Sequence, residues 1–202
     1  MKKLRILSVS FFLLFLSTSY LYSFSSNPKE FVAELVNEAI SKLSDKNLTK
    51  DEKEQFIENI ALENVDIDAL ALYTLGELRK TSEKKDIINY QIAFEKYFLK
   101  SLSSRLKDYS ESKFEVVSKD KKSSNYTIVN SKIIPMDGSP EIKIDWRIYT
   151  KNKDKPLIRD LIVEGLSLAR TQKEEFSSIL SSNNNDIEFL ILKLTEFVAD
   201  LK

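Results

Sequence analysis

The sequence of 202 residues contains no cysteine and no histidine, and it has only three glycines. Without cysteine and histidine, the chain lacks thiol chemistry, disulfides and the ligands of soft metal sites. Three glycines are too few for the glycine-rich loops that cradle phosphates, and no such motif occurs. Histidine is also the usual base that activates a serine nucleophile. We therefore expect no catalytic residue, no metal and no cofactor, and a binding function rather than an enzymatic one.

One segment nevertheless resembles a catalytic element. Residues 160–171, DLIVEGLSLART, place Ser167 between Gly165 and Ala169, one small residue away from the G-x-S-x-G turn of many hydrolases. The nearest lysine, Lys173, falls on a different face if this stretch is helical. A periplasmic serine hydrolase that uses Ser167 is the alternative from another functional class. We favour a strand-to-helix junction, in which Gly165 allows the turn and Ser167 caps the helix.

The N-terminal residues 1–25, MKKLRILSVSFFLLFLSTSYLYSFS, have the pattern of a secretory signal peptide. Three basic residues precede an apolar run that is too short to cross a bilayer. We predict cleavage after Ser25; a cut near Ser17 and Ser19, or an uncleaved anchor, are the alternatives. Cleavage would leave one domain over 26–202 with 28 basic and 31 acidic residues. This mildly acidic balance does not favour nucleic acid as a partner.

The absence of cysteine also indicates the cellular compartment of the protein. No cysteine follows the predicted signal peptide, where a bacterial lipoprotein would carry its lipid. Secreted eukaryotic proteins usually use cysteine, and a domain without disulfides must rely on its apolar core. We therefore predict a protein of the bacterial periplasm that is not lipidated.

The spacing of apolar residues changes along the chain from helical to alternating and back to helical. Capping motifs at Asn27 and Thr49 predict two helices, and helical spacing predicts a short third helix over 66–78 and a long aromatic-rich helix over 82–109. Alternation predicts four antiparallel strands, over 113–120, 125–136, 141–151 and 157–163. Helical spacing around Phe176 and after residue 185 predicts two last helices. This order predicts an α+β domain in which helices cover the apolar face of the sheet.

The C-terminal half also resembles a known family. Trp146 on the third strand, the run DLIVEGLSL at 160–168, and the spaced Gln172 and Phe176 resemble the MlaC family of periplasmic phospholipid-binding proteins, also called the toluene-tolerance family. LYTLGELRK at 72–80 and the long helix after it are similar to further segments of that family. The strongest part of the resemblance is a motif formed by Asp160, Glu164, Gly165 and Ser167. The resemblance implies an NTF2/cystatin-like fold: N-terminal helices, a four-stranded antiparallel sheet, and C-terminal helices packed on one face and enclosing an apolar cavity.

The function that this resemblance implies is that of a shuttle for a diacyl phospholipid. The implied partners are an inner-membrane ABC lipid transporter complex and an outer-membrane complex of a lipoprotein and a porin. Exposing an acyl chain to water costs about 0.8 kcal/mol per CH₂ group, so a carrier needs an apolar cavity. The alternatives are a carrier for hopanoids or other hydrophobic ligands, and a structural or chaperone-like module with a filled core.

Residues of the strands and of two helices are candidates for the cavity lining. We predict that apolar residues on one face of the sheet oppose aromatic and aliphatic residues of the long helix and of the helix after the sheet. The predicted lining residues are Phe94, Phe98, Leu102, Ile128, Ile144, Trp146, Ile148, Ile162 and Phe176.

Overall fold

The computed structural model of the chain describes residues 24–106 and 112–201. The signal peptide predicted over 1–25 lies almost wholly outside the described residues, as does Tyr109 at the end of the predicted long helix. The helices are α1 (Pro28–Ser44), α2 (Lys50–Asn64), α3 (Ile67–Thr74), α4 (Leu78–Thr81), α5 (Lys84–Leu106), α6 (Leu168–Ser181) and α7 (Ile187–Asp200). The strands are β1 (Ser112–Lys121), β2 (Tyr126–Pro135), β3 (Ile142–Tyr149), β4 (Leu157–Val163) and β5 (Leu166–Ser167). Of the helices in the described ranges, none has the length and apolar character needed to cross a membrane.

The first two helices begin at the capping residues that the sequence predicts. Asn27 accepts a hydrogen bond from the Lys29 backbone N–H at 3.1 Å, with Pro28 at the first helical position. Thr49 and Glu52 exchange side-chain and backbone hydrogen bonds at the start of α2. These bonds satisfy N–H groups that the first turn of a helix leaves without partners. Both predicted helix starts are confirmed.

The sheet is an antiparallel meander in the order β1-β2-β3-β4-β5. The four predicted strands are confirmed, and the sheet gains a fifth strand of only two residues. Glu164 (φ 48°) and Gly165 (φ 84°) form a tight turn that pairs Val163 with Leu166. Two consecutive positive φ angles are typical of the hairpin turn whose twist matches that of its strands. A strand this short has no alternation to detect, so the sequence did not predict it.

A bulge in β4 changes which of its side chains share a face. The register passes from Arg147 opposite Asp160 to Ile148 opposite Ile158, so Arg159 is the extra residue. An extra residue breaks the alternation of a strand locally. As a result, Arg159 and Asp160 lie on the same side of the sheet.

One apolar core lies between α1 and the sheet, and we call it the α1–sheet core. Its buried members from α1 are Phe31, Val32 and Leu35; those from the strands are Val129, Ile144, Trp146, Ile148 and Ile158. Trp146 Nε1–H donates a hydrogen bond to Ser131 Oγ at 2.8 Å, and this hydroxyl donates in turn to the Ile144 carbonyl at 3.0 Å. The polar atom of the buried indole is therefore satisfied inside the core.

A second apolar core, which we call the helical core, joins α3, α5, α6 and α7. Tyr90, Phe94 and Phe176 contact one another, with Phe176 edge-on to both other rings. The Tyr90 hydroxyl lies 2.8 Å from the Thr74 hydroxyl, and burial raises the pKa of Tyr90. α7 packs mainly on α5, while α6 contacts both α3 and β4. α6 is thus a helix that bridges the helical core and the sheet.

A polar joint holds α3 against the sheet. The Asp66 backbone N–H donates to the Ile158 carbonyl at 2.9 Å. Arg159 donates to the Asp66 carboxylate and to the Tyr126 hydroxyl, both at 2.7 Å, and its guanidinium lies 3.5 Å from the centre of the Tyr149 ring. An arginine held by a carboxylate and an aromatic face has little remaining freedom. The bulged residue of β4 therefore fixes the position of α3 over the sheet.

Acid should weaken the contact between α2 and α5. Glu54 accepts a hydrogen bond from Lys100 at 2.9 Å, which lowers the pKa of Glu54. A lowered pKa means that the carboxylate stabilises the fold above its unfolded-state pKa, and that this stabilisation is lost as the pH falls through its folded-state pKa. We expect Glu54→Gln to lower the free energy of unfolding by about 1 kcal/mol at pH 7 and to have a smaller effect in acid, as measured by urea unfolding.

The matched control for this change is Glu77→Gln. Glu77 pairs with Lys80 on the surface at 2.8 Å, but its side chain is 79% exposed. Because exposed pairs contribute little, its removal should leave the unfolding curve unchanged. An equal loss of stability from Glu54→Gln at pH 7 and in acid would contradict the assigned role of the carboxylate.

Candidate functional site

A cleft of about 810 Å³ lies between the sheet and α3. It occupies the face of the sheet opposite to the α1–sheet core, because Ile128 and Asn130 of β2 point into it while Val129 is buried on the other side. Ala69, Leu70 and Tyr73 of α3 cover one side of the cleft, and Ala169 marks the start of α6 at its edge. The cleft therefore lies where the sheet, α3 and α6 meet.

The lining of the cleft has an apolar part and a charged part. The large apolar and aromatic side chains, which we call the cleft floor, are Leu70, Tyr73, Tyr126, Ile128 and Ile162. The charged residues are Asp120, Lys122, Asp145, Arg147, Arg159 and Asp160, three acidic and three basic. Such a surface can contact both parts of an amphiphilic molecule, which has an apolar and a polar portion.

The structure divides the predicted cavity residues among several places. Ile128 and Ile162 belong to the cleft floor; Ile144, Trp146 and Ile148 belong to the α1–sheet core; Phe94, Phe98 and Phe176 belong to the helical core; and Leu102 is half-buried on α5. The nine residues thus do not line one common cavity. Contact of any of them with a lipid stays a prediction.

The assignment of all five strand residues to one face of the sheet is wrong for two of them. Ile128 pairs with Arg147, and Ile162 pairs with Asp145, so both lie beside polar residues of β3. β2 has adjacent apolar residues at Ile128 and Val129, and either could have been the inward one. In β4, the bulge shifts the alternation. The sequence of each strand alone therefore does not show which side chains of β2 and β4 face the cleft.

Asp160 of the predicted family motif is a buried carboxylate at the edge of the cleft. Its side chain is only 2% exposed. It accepts hydrogen bonds from the Ser167 hydroxyl at 2.7 Å and from the Ala169 backbone N–H at 3.0 Å. An acceptor at the first turn of a helix satisfies free N–H groups and interacts favourably with the helix dipole. Asp160 therefore ties the start of α6 to β4.

The other three motif residues build the turn that leads into α6. Glu164 accepts a hydrogen bond from the Lys143 backbone N–H, and its own N–H donates to the Lys143 carbonyl at 3.0 Å. Gly165 occupies the second turn position with φ 84°. Ser167 is the N-cap of α6 and accepts from the Arg170 N–H at 3.1 Å. The predicted strand-to-helix junction and the predicted N-cap are confirmed.

Neighbouring groups already hold most of the charged residues of the cleft. Asp145 accepts a hydrogen bond from the Asn130 side chain at 2.8 Å, and Lys122 bonds to Asp120. Arg147 and Arg159 are not among the site residues predicted from the sequence. The available signal was the polar half of the alternation in EIKIDWRIYTK, which places Asp145 and Arg147 together on the face opposite to Trp146.

A protein-family model described as MlaC protein matches residues 33–196. The chain belongs to the MlaC family. The matched range runs from α1 into α7 and contains all four motif residues. The matched range therefore contains the cleft, the buried residues of the helical core, and those of the α1–sheet core except Phe31 and Val32.

A solved phospholipid-binding protein has a fold similar to that of this chain. This MlaC-family chain is similar to the phospholipid-binding protein from Ralstonia solanacearum, determined in complex with a phospholipid. The two share 16% sequence identity and superpose with a TM-score of 0.70, over 84% of this chain and 96% of the Ralstonia chain. At this identity, the likeness establishes a common α+β fold. No curated protein matches the sequence significantly.

Proposed function

We propose that this chain binds a phospholipid in the cleft and carries it through the periplasm. The observation that carries the proposal is the divided lining of the cleft, in which an apolar floor adjoins charged residues. Membership of the MlaC family, and a fold shared with a protein solved in complex with a phospholipid, support this reading. The proposed activity is binding and release, and requires no catalytic group.

The cleft suits an amphiphile for two physical reasons. Its volume of about 810 Å³ falls in the range of roughly 300–1,000 Å³ that is usual for sites of small ligands. Leu70, Ile128 and Ile162 offer apolar surface to acyl chains, and each CH₂ group removed from water contributes about 0.8 kcal/mol. The cleft is open to solvent, so a head group can remain hydrated while the tails lie on the floor.

We propose that residues 1–25 direct export, that cleavage leaves one domain over 26–202 without a lipid anchor, and that this domain works in the periplasm. There it would exchange lipid with an inner-membrane ABC lipid transporter complex and with an outer-membrane complex of a lipoprotein and a porin. A freely diffusing carrier suits this role because a bare acyl chain is costly to move through water.

Lipid analysis of the purified protein tests the proposed ligand. Residues 26–202 would be expressed with a periplasmic leader in a bacterium that makes both phospholipids and hopanoids, then purified without detergent. We expect native mass spectrometry to detect bound phospholipid, and delipidated protein to extract labelled phospholipid from vesicles. Recovery of a hopanoid alone would favour the carrier for other hydrophobic ligands. Absence of any lipid in both measurements would favour a structural module and contradict the proposal.

A further inference from the structure

The cleft contains one arginine whose guanidinium donates no hydrogen bond within the described residues. Arg147 lies on β3 and points into the cleft with 46% of its side chain exposed. Its nearest carboxylate oxygen is Oδ2 of Asp160, at 3.5 Å from Nη1. Among the contacts of the described residues, the Arg147 guanidinium has this ion pair but no hydrogen bond. Within the described part of the chain, its N–H donors are therefore available to an anion.

Both oxygens of Asp160 accept hydrogen bonds from donors other than Arg147. Oδ2 accepts the Ser167 hydroxyl at 2.7 Å, and Oδ1 accepts the Ala169 N–H at 3.0 Å. The carboxylate also lies at the N-terminus of α6, where the helix dipole stabilises negative charge. The carboxylate that faces Arg147 therefore mainly stabilises the start of α6.

The other two cations of the cleft differ from Arg147. Arg159 is engaged by Asp66, by the Tyr126 hydroxyl and by the face of Tyr149, so it serves the joint between α3 and the sheet. Lys122 lies in the turn after β1, is 58% exposed, and bonds to Asp120. Among the described residues, Arg147 is thus the cleft cation whose guanidinium donates no hydrogen bond, and it lies in the middle of the sheet.

The cleft floor lies directly beside this guanidinium. Arg147 is the register partner of Ile128 on β2, and Ile162 is the register partner of Asp145, two residues earlier on the same face of β3. An arginine presents its N–H groups in a planar fork that matches two oxygens of a phosphate. A ligand with a phosphate next to an acyl chain could therefore contact Arg147 and the floor together.

We infer that Arg147 is the phosphate-binding residue of the cleft, and that it selects lipids with a phosphodiester over lipids without one. This inference rests on the proposed function and specifies its ligand class. The recognised group is the negative phosphodiester shared by phospholipids, whatever alcohol completes the head group. A diacylglycerol or a hopanoid offers only the apolar contacts.

Binding measurements on two variants test this role. Fluorescent-lipid displacement would compare a phosphatidylglycerol with the diacylglycerol that has the same tails. We expect Arg147→Gln to weaken phosphatidylglycerol binding by about 10-fold and to change diacylglycerol binding by less than about twofold. Arg147→Lys should bind phosphatidylglycerol with intermediate affinity because it keeps the charge but loses the fork. Lys143→Gln is the matched control: it removes a positive charge from the same strand, outside the cleft lining, and should change neither affinity.

Each contrary outcome has a distinct meaning. If Arg147→Gln weakened the binding of both lipids equally, or of neither, the proposed role of Arg147 would be wrong. The proposal that the chain binds a phospholipid would still stand. Glycerophosphoglycerol, the same head group without tails, is the third probe; if it bound as tightly as the phospholipid, the site would serve soluble phosphate esters and the inference would fail. Failure of the unaltered protein to bind any lipid would overturn the proposed function itself. Thermal unfolding of each variant shows whether it is folded.

Discussion

Replacing Asp160 with alanine should lower the free energy of unfolding by about 3 kcal/mol, and the melting temperature by roughly 6–12 °C. The change removes a buried carboxylate that accepts hydrogen bonds from Ser167 and from the first turn of α6. It leaves both donors without their partner and Arg147 without its nearby acid. Urea and thermal unfolding monitored by circular dichroism would measure the effect.

Two milder variants serve as controls for this prediction. Ser167→Ala removes the N-cap of α6 and should cost about 1 kcal/mol. Asp145→Asn keeps a side-chain oxygen that can accept the hydrogen bond from Asn130, and should change stability by less than about 0.5 kcal/mol. If Asp160→Ala cost no more than Ser167→Ala, Asp160 would not be the residue that ties α6 to the sheet.

Replacing Ile128 and Ile162 together with serine should weaken phospholipid binding by roughly 10- to 100-fold. Each isoleucine contributes apolar surface to the cleft floor. Losing that surface removes about 0.7–1.4 kcal/mol of tail contact per residue, given about 0.8 kcal/mol per buried CH₂ group and about 1.4 kcal/mol per tenfold change in affinity. Both side chains are half-buried, so the folding cost should be smaller than for a core position. Extraction of labelled phospholipid from vesicles, over a range of protein concentrations, would measure the loss.

The matched control replaces two apolar residues outside the cleft. Ile92 on α5 and Leu192 on α7 are 53% and 50% exposed, and their double replacement with serine should not change binding. Ile144→Ser is the opposite test, since it alters the α1–sheet core, where Ile144 is 8% exposed. It should lower stability and leave the folded protein able to bind. If Ile144→Ser abolished binding in folded protein while the cleft variant bound normally, the acyl chains would lie under α1 instead.

The sequence could predict the elements because their signals are local. A capping box needs only Thr49 and Glu52, three residues apart, and the alternation around Trp146 needs only its own strand. The junction at Gly165 and Ser167 was predictable for the same reason, since a positive φ angle and an N-cap each depend on a few adjacent residues.

The cleft could not be assembled in this way because it depends on the register between strands. Ile128 and Val129 are equally suited to the inside of a sheet, and only the pairing of Ile128 with Arg147 decides between them. The bulge at Arg159 shifts the alternation by one residue, and no composition rule marks its place. The proposed role of Arg147 likewise depends on the hydrogen bond between Asp160 and α6. That contact lies outside the strand of Arg147, so the sequence of β3 alone does not reveal it.

The indole of Trp146 provides an intrinsic fluorescence signal on a strand that lines the cleft. Trp146 is the single tryptophan in the sequence, and it neighbours Arg147 on β3 but points to the opposite side of the sheet. Because Trp146 and Arg147 are adjacent on β3, a ligand that moved the backbone at Arg147 would also move the indole relative to Ser131. The emission of Trp146 would then report occupancy of the cleft without contact between ligand and chromophore.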